Sequence, residues 1–572
     1  MPPPPRTKRT TRTTSTPATA STASAKSTGP AASGSRAATG AGAGAGAGND
    51  CHGPGDGAAT ENPAAGGASV ETGTARDRQY WLRLLPVLML LTAVTRLPSF
   101  ARPLWNPDEG YLATQARQLA AGGTLYETVV DRKPPLLPWL YRAAFALFGD
   151  ESLWPLRVAA SLAVLASALL LASLARRRWG EGAGRFAGVC LVLASVALVP
   201  EDTQAATFEV FMVPWTVLAM WCADRGRWAW AGVAVAGAVL TKQTGGAVLV
   251  PVLWLLWSRR MRPRYALGRP LSGLSAGAVL PVLAAALLHG PARFVFWTAT
   301  GSGSYMSADG AMGHALLRAL ANGGLLLAGC LPMTAALLYV MRTRVRARSR
   351  TRKGSRPPAA PGTGSDRTTD VWIWLAASAA AVCVGFQFFG HYFLQLTPAV
   401  ALLAAEALRH LTSRAAKAAI ALNSLVTAGL LGWALWLFPS AELAHQQRLA
   451  DEVRSRTSRA EPVLLWGMHP EGYWFAERAP ASRYLTAGFL TNFSGGRGGA
   501  RVGERYAMTG AWPYFRRELA RRPPELIVDD SRGKPYGAVH TPTLRAYLAR
   551  HYERVDTVDG AVLYARSPRP AP

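Results

Sequence analysis

The sequence predicts an all-α polytopic membrane protein with a small extracytoplasmic α/β domain at its C-terminal end and a disordered tail at its N-terminal end. Three observations predict it. Nearly half of the 572 residues are hydrophobic (49%), and they come in runs of about 15–25 residues, the length that crosses roughly 30 Å of hydrocarbon. The formal charge of +28 gathers in short loops between those runs, as in ARRRWG (175–180), SRRMRPR (258–264) and RTRVRARSRTRKGSR (342–356). That is the positive-inside pattern, and it fixes those loops on the cytoplasmic face. Beyond residue 440 the long runs stop, and short apolar and amphipathic stretches alternate. No nucleic-acid partner is expected, because a basic cytoplasmic face already accounts for the charge.

Taken in order, residues 1–79 are Pro, Thr, Ser, Ala and Gly with GAGAGAGAG at 40–48. They cannot bury enough apolar surface to offset their ordering entropy, so a disordered cytoplasmic tail is expected. A membrane domain then runs over 80–440, with about 11–13 transmembrane helices. Spans fall at 83–100, 152–175, 186–200, 208–223, 229–257 (two short helices), 270–289, 316–341, 371–389, 391–409 and 417–438. The run 134–148 is short and carries Arg142. Only an odd number of crossings separates an outer loop at 101–133 from the basic Arg176–Arg178, so 134–148 is expected to be re-entrant or surface-lying. Residues 351–369 form a flexible cytoplasmic loop.

Residues 441–572 are expected to form the extracytoplasmic domain. PVLLW (462–466), ELIVDD (525–530) and ERVDTVDGAVLYAR (553–566) read as strands, WPYFRRELARR (512–522) and TPTLRAYLARHY (541–552) as helices. Of five cysteines, Cys190, Cys222, Cys330 and Cys383 lie in apolar runs and Cys51 in the tail. None forms a CxxC pair, so neither a disulfide framework nor a thiolate metal site is indicated.

The chemistry is expected in the outer loops. NPDEGYLATQARQLAAGGTLYETVVDRKPPL (106–136) offers Asp108, Glu109, Glu127, Asp131, Arg132 and Lys133; the next offers Glu201, Asp202 and Glu209. LTKQTGG (240–246) places Lys242 and Gln243 between two short helices, each roughly 20 Å long at 1.5 Å per residue, hence inside the protein. FFGHYFLQLTP (388–398) adds His391 and Tyr392. Ionisable groups at membrane depth are costly and mark sites. Carboxylates and cations converging on one cavity suit transfer of a sugar from a polyprenyl phosphate. A carboxylate, Asp108, would accept the proton of the attacking hydroxyl, and Lys133, Arg132 and Lys242 would hold the departing phosphate.

The loop PDEGYLATQARQLAAGG…DRKPPL, followed by SLWPLRV…LARRRWG and FFGHYFLQLTPAVALLA, resembles the polyprenyl-phosphate-sugar glycosyltransferases of the GT-C superfamily. These include the protein O-mannosyltransferases and the aminoarabinose transferases of lipid A. The resemblance covers roughly 83–440 and is strongest over 100–215. It implies a GT-C fold, an acidic base in the first outer loop and generally inversion at the sugar carbon. Asp108 matches that acid with Glu109 beside it, Lys133 of KPP matches the basic residue before the next helix, and Glu209 of ATFEVF matches an acidic position of relatives. The chain lacks a WWDYG run and the large inserted domain of eukaryotic protein mannosyltransferases. The implied partners are a lipid-linked sugar donor, a cell-envelope acceptor and membrane lipids, at the plasma membrane with the N-terminus inside.

Each residue also has a plainer explanation. Asp108 and Glu109 suit a helix start, Lys133 and Arg132 could anchor at headgroups, and Gln243 could satisfy backbone groups at its turn. Glu209 could pair with Arg117 or Lys242, and His391 and Tyr392 suit an aromatic belt. Asp529–Asp530 read as an acidic turn. The histidines are scattered and no HExxH occurs, so no metal site is assigned and no cofactor is called for, although the loop acids leave a divalent metal open. The rival class is a membrane transporter or flippase, whose charges would sit near the bilayer midplane in repeated, broken helices.

Overall fold

Helices dominate a computed structural model that describes residues 63–261, 266–301, 312–351, 368–492 and 501–568. The tail before residue 63 and the loop at 352–367 lie outside the described residues, and so do the expectations placed on them. Helix α1 (Pro63–Arg96) starts ahead of the expected residue 80, because an alanine-containing stretch without proline can extend the first span's helix. There follow α2 (Pro107–Ala120), α3 (Leu136–Phe148), α4 (Trp154–Trp179), α5 (Glu181–Ala194), the short α6 (Pro200–Gln204), α7 (Phe208–Asp224) and α8 (Trp228–Thr241). Next come α9 (Leu249–Arg260), α10 (Gly268–His289), α11 (Pro291–Thr298), α12 (Met312–Gly329), α13 (Leu331–Thr351), α14 (Thr369–Cys383), α15 (Thr397–Leu408) and α16 (Ser413–Gly432).

Among the described residues four helices are long and apolar enough to cross a bilayer alone, or five if α12 and α13 count as one broken span. The rest of the apolar sequence is packed as shorter helices. The expected single span at 316–341 is two helices bent by 82°, with the break at Cys330 between Gly329 and Pro332. Gly329 packs so closely on Ala197 that a Cβ there would lie 2.7 Å from the Ala197 Cβ. The short helix α3 has 13 residues, about 20 Å at 1.5 Å each, which is too short to cross. Its Leu147 and Phe148 stay exposed. The pair expected within 229–257 is α8 and α9, joined by a 3-10 turn at Gln243–Val248.

The C-terminal segment adds α17 (Ala441–Arg456), α18 (Glu471–Ala476), α19 (Gly488–Thr491), α20 (Ala511–Arg521) and α21 (Pro542–His551) around four strands. These are β1 (Val463–Trp466), β2 (Leu526–Asp529), β3 (Tyr552–Val558) and β4 (Ala561–Arg566), in the order β1-β2-β4-β3. β1 and β2 run parallel, and β4 pairs antiparallel with both β2 and β3. β1 and β2 are buried along their whole length, as strands covered on both faces must be. One face packs with Phe515, Leu519, Leu544 and Leu548, in an apolar cluster that also holds Leu125, Tyr126, Val129 and Val130 of the loop before α3. The other packs under α17, with Tyr111 of α2 at its edge. Ser69–Pro572 form one compact unit, in which that loop and the sheet share a core.

Candidate active site

The first loop is built by burying charge. Asn106 caps α2, its side chain accepting from the Asp108 amide at 2.9 Å. Glu109, the next residue, is wholly buried. It accepts from the backbone amides of Trp105 and Ala206, both at 2.8 Å, and meets Arg157 at 3.4 Å. Arg157, equally buried, also donates to the carbonyls of Ser99 at 2.5 Å and Pro103 at 2.8 Å. Arg96, a third buried ion, donates to the Thr203 carbonyl and lies in the field of Glu109. Glu109 thus ties the loop to the segment before α7, and its oxygens are spent. The geometry corrects its expected place beside Asp108 in the chemistry to a positioning one. Arg96 and Arg157 escaped sequence reading because arginines at the ends of apolar runs look like interfacial anchors.

Asp108 has the opposite character. It is half-buried, and its carboxylate has no hydrogen bond or ion pair among the described residues. It lies in the electrostatic field of Asp131, Glu201 and Lys242. Asp131 is buried, accepts from the Arg132 amide at 2.6 Å, and sits 3.3 Å from the Gln115 amide nitrogen. Burial, with Asp108 adding a like charge, pushes its carboxyl up to about 6 despite nearby Lys133. Tyr111 of α2 holds this loop by donating to the Val130 carbonyl, and Tyr126 closes the loop on itself by donating to the Lys133 carbonyl, at 2.8 Å each.

Lys133 is half-buried, 5.3 Å from the centre of the Phe208 ring, with no carboxylate partner among the described residues. Lys242 caps the C-terminal end of α8, where the chain leaves helical geometry. It is buried, ion-paired with Glu209, and 3.7 Å from the centre of the Tyr392 ring. The second Glu209 oxygen has no hydrogen-bond partner among the described residues. Lys133 lies in the field of both members of that pair. Of the two partners foreseen for Glu209, Lys242 is the one found; Arg117 pairs with Asp150. His391 is buried, 2.7 Å from an Asp202 oxygen, and stacks on Phe389. It belongs to the site's charge network rather than to an exposed belt. Tyr392 is buried beside it.

Two expected residues are placed otherwise. The Gln243 amide donates to the carbonyls of Arg132 at 2.6 Å and Thr298 at 3.0 Å, so it clasps backbone rather than facing substrate. The Arg132 guanidinium lies 5.1 Å from the Phe489 ring of the C-terminal segment, which directs it toward that segment. Glu201 carries more weight than its sequence position suggested. It is largely buried near Asp202, His391, Asp108 and Glu471, and desolvation pushes its carboxyl up to about 7.

Glu442, His445 and Asp530 lie close enough to share an ion, but Arg532 already bonds Glu442 at 2.8 Å and Asp530 at 3.2 Å. A guanidinium occupies the role a metal would take. A separate groove of about 790 Å³ between α2 and the C-terminal segment is lined by Thr114, Arg117, Arg478 and Glu518 among others, and by none of Asp108, Lys133 or Lys242.

A family model for dolichyl-phosphate-mannose-protein mannosyltransferases matches residues 132–289, from Arg132 through α10. ArnT from Cupriavidus metallidurans, solved with undecaprenyl phosphate bound, superposes with a TM-score of 0.54 over 86% of this chain and 99% of that one, at 16% identity. Its apo form gives 0.53 over 86% and 100%, at 17% identity. The fold is that of ArnT. In sequence, the chain is 31% identical over 249 residues to the undecaprenyl phosphate-alpha-4-amino-4-deoxy-L-arabinose arabinosyl transferase of Pseudomonas paraeruginosa (strain DSM 24068 / PA7). The same figures hold for that of Pseudomonas aeruginosa (strain UCBPP-PA14). Each match covers 38% of this chain and 43% of the relative, so the chain spans less than half the length of the curated relatives it matches. The likeness to ArnT and the apolar helices make this a multi-pass membrane protein.

Proposed function

We propose that the chain is a membrane glycosyltransferase that moves a pentose or hexose from a polyprenyl-phosphate donor to a lipid, glycan or protein acceptor of the cell envelope, inverting the sugar carbon. The observation that carries this reading is the unpartnered carboxylate of Asp108 in one electrostatic neighbourhood with Lys242, and through Asp131 with Lys133. Asp108 takes the proton of the acceptor hydroxyl as its oxygen attacks the anomeric carbon. The bond from that carbon to the phosphate oxygen breaks through an oxocarbenium-like state. Lys133 stabilises the departing phosphate as its charge grows, and Lys242, held by Glu209, adds positive potential without being free to move. Asp202 holds His391 within the same charge network.

In this reading residues 80–440 are the catalytic membrane domain, and 441–572 lie outside the cell membrane with the N-terminus inside. The relatives that match are transferases, which sets the transporter reading aside. Turnover of a lipid-linked sugar by Asp108→Asn in proteoliposomes tests it. A loss of about 10²–10⁴-fold is expected when a general base is removed, and unchanged turnover overturns the role.

A further inference from the structure

The C-terminal segment touches α2 one turn from the base. At Gly110 a Cβ would lie 2.3 Å from the Glu471 Cβ and 2.6 Å from its Cα, so only glycine allows this approach. The contact is pinned on both sides. Thr114 bonds the Pro470 carbonyl at 3.2 Å, Arg117 the Trp474 carbonyl at 2.7 Å, and the Trp474 indole donates to the Asp150 carbonyl at 2.9 Å. Glu471 itself is 2% exposed. One of its oxygens meets His469 Nδ1 at 2.9 Å, while the other is buried with no hydrogen-bond partner among the described residues. Its charge is felt at Glu201, which also feels Asp108.

Resting on the glycosyl-transfer reading, we propose that Glu471 is an acceptor-binding residue, its unpartnered oxygen accepting a hydrogen bond from a hydroxyl of a polyhydroxylated acceptor. Buried carboxylate oxygens are rarely left without a donor, which makes this oxygen the point where a hydroxyl would dock. His469 faces Glu471 and Glu442, which raise its tendency to hold a proton above that of an ordinary histidine. One Glu471 oxygen is therefore engaged by His469, and the other is left for a donor from outside the chain. A sugar-like acceptor brings several hydroxyls, one to attack and a neighbour to be held. The C-terminal segment thereby takes part in choosing the acceptor.

The test compares wild type, Glu471→Gln and Glu471→Asp in proteoliposomes with the lipid-linked sugar, measuring transfer over a range of acceptor concentrations and, separately, hydrolysis of the donor by water. Both variants are expected to raise the acceptor KM about 10–100-fold, the scale of a lost hydrogen bond to a charged group, and to leave donor hydrolysis within twofold. Hydrolysis falling in step with transfer overturns the proposal, because Glu471 would then serve the base or the fold. An active wild type with an unchanged acceptor KM in both variants overturns it also. A wild type that consumes no lipid-linked sugar overturns the glycosyl-transfer reading, and this proposal falls with it. Should Glu471→Gln fail to fold, Glu471→Asp decides alone, since it keeps the charge and withdraws the oxygen by one methylene.

Discussion

Glu209→Gln would leave the Lys242 ammonium buried without its counter-ion. Both side chains are at most 5% exposed, so solvent cannot replace the lost partner. Breaking a buried pair from one side costs about 3–5 kcal/mol, because the remaining charge keeps its desolvation penalty. Replacing both partners by apolar or neutral groups of similar volume is often neutral or stabilising. A double-mutant cycle separates the two effects. Glu209→Gln and Lys242→Met should each lower the denaturation midpoint in detergent, and the double variant should recover most of the loss. Turnover should not recover, since the double variant also lacks the Lys242 ammonium and the open Glu209 oxygen beside Lys133 and His391. A Glu209→Gln protein as stable as wild type, or additive losses in the double variant, would refute the buried-pair argument. Recovery of turnover along with stability would reduce the pair to scaffolding.

Lys133→Met should cut turnover by about 10²–10³-fold, the scale of removing one stabiliser of developing charge, while a Lys133→Arg variant with full activity would show that only charge matters there. Glu109→Gln should lower stability by about 1–3 kcal/mol through two backbone amides left with a weaker acceptor and an unpaired Arg157; a large turnover loss in a protein of unchanged stability would restore Glu109 to the chemistry. Asp131 contributes a pH dependence of its own. Its folded carboxyl is raised to about 6 from 3.8, so its contribution is fully present below about pH 4 and is lost as pH rises through 6. Asp131→Asn should therefore stabilise the protein near neutral pH and flatten its stability between pH 4 and 6; an unchanged pH profile by thermal denaturation would count against the burial of that carboxyl.

The apolar helical body, the paired short helices around Lys242 and the strand stretches at 462–466, 525–530 and 553–566 were legible in the sequence, because run length and alternation report burial directly. The last stretch holds two strands, β3 and β4, where the sequence reads as one. The break at Cys330 was not read: 316–341 is largely apolar apart from Arg318 and Asn322, and the signal that could have shown it is the Gly329 and Pro332 that flank the break. In the site, residue type located the charged loops but could not apportion their partners. Gln243 reads the same whether it faces a ligand or the carbonyls of Arg132 and Thr298. Glu201 and Asp202 read as two more loop acids, and only the approach of His391 from nearly two hundred residues away gives them a function. The contact of Glu471 with Gly110 joins segments more than three hundred residues apart, which no local pattern can report.

The adjacent acids Asp108 and Glu109 show what the fold adds. On a helix they point about 100° apart, so one face of α2 cannot serve both. Glu109 turns into the protein, where two amides and Arg157 consume its charge. That anchoring fixes the first turn of α2, and the Asn106 cap fixes its start. Asp108 is thereby left with its direction set and its oxygens open. A base must be positioned without being neutralised, and neutralising its neighbour is one way to achieve both. The same division recurs between the cations: Lys242 is paired with Glu209, while Lys133 has no carboxylate partner among the described residues. In each case a buried, paired ion stands beside an open one, and the open pair, Asp108 and Lys133, is the pair that the proposed glycosyl transfer would use.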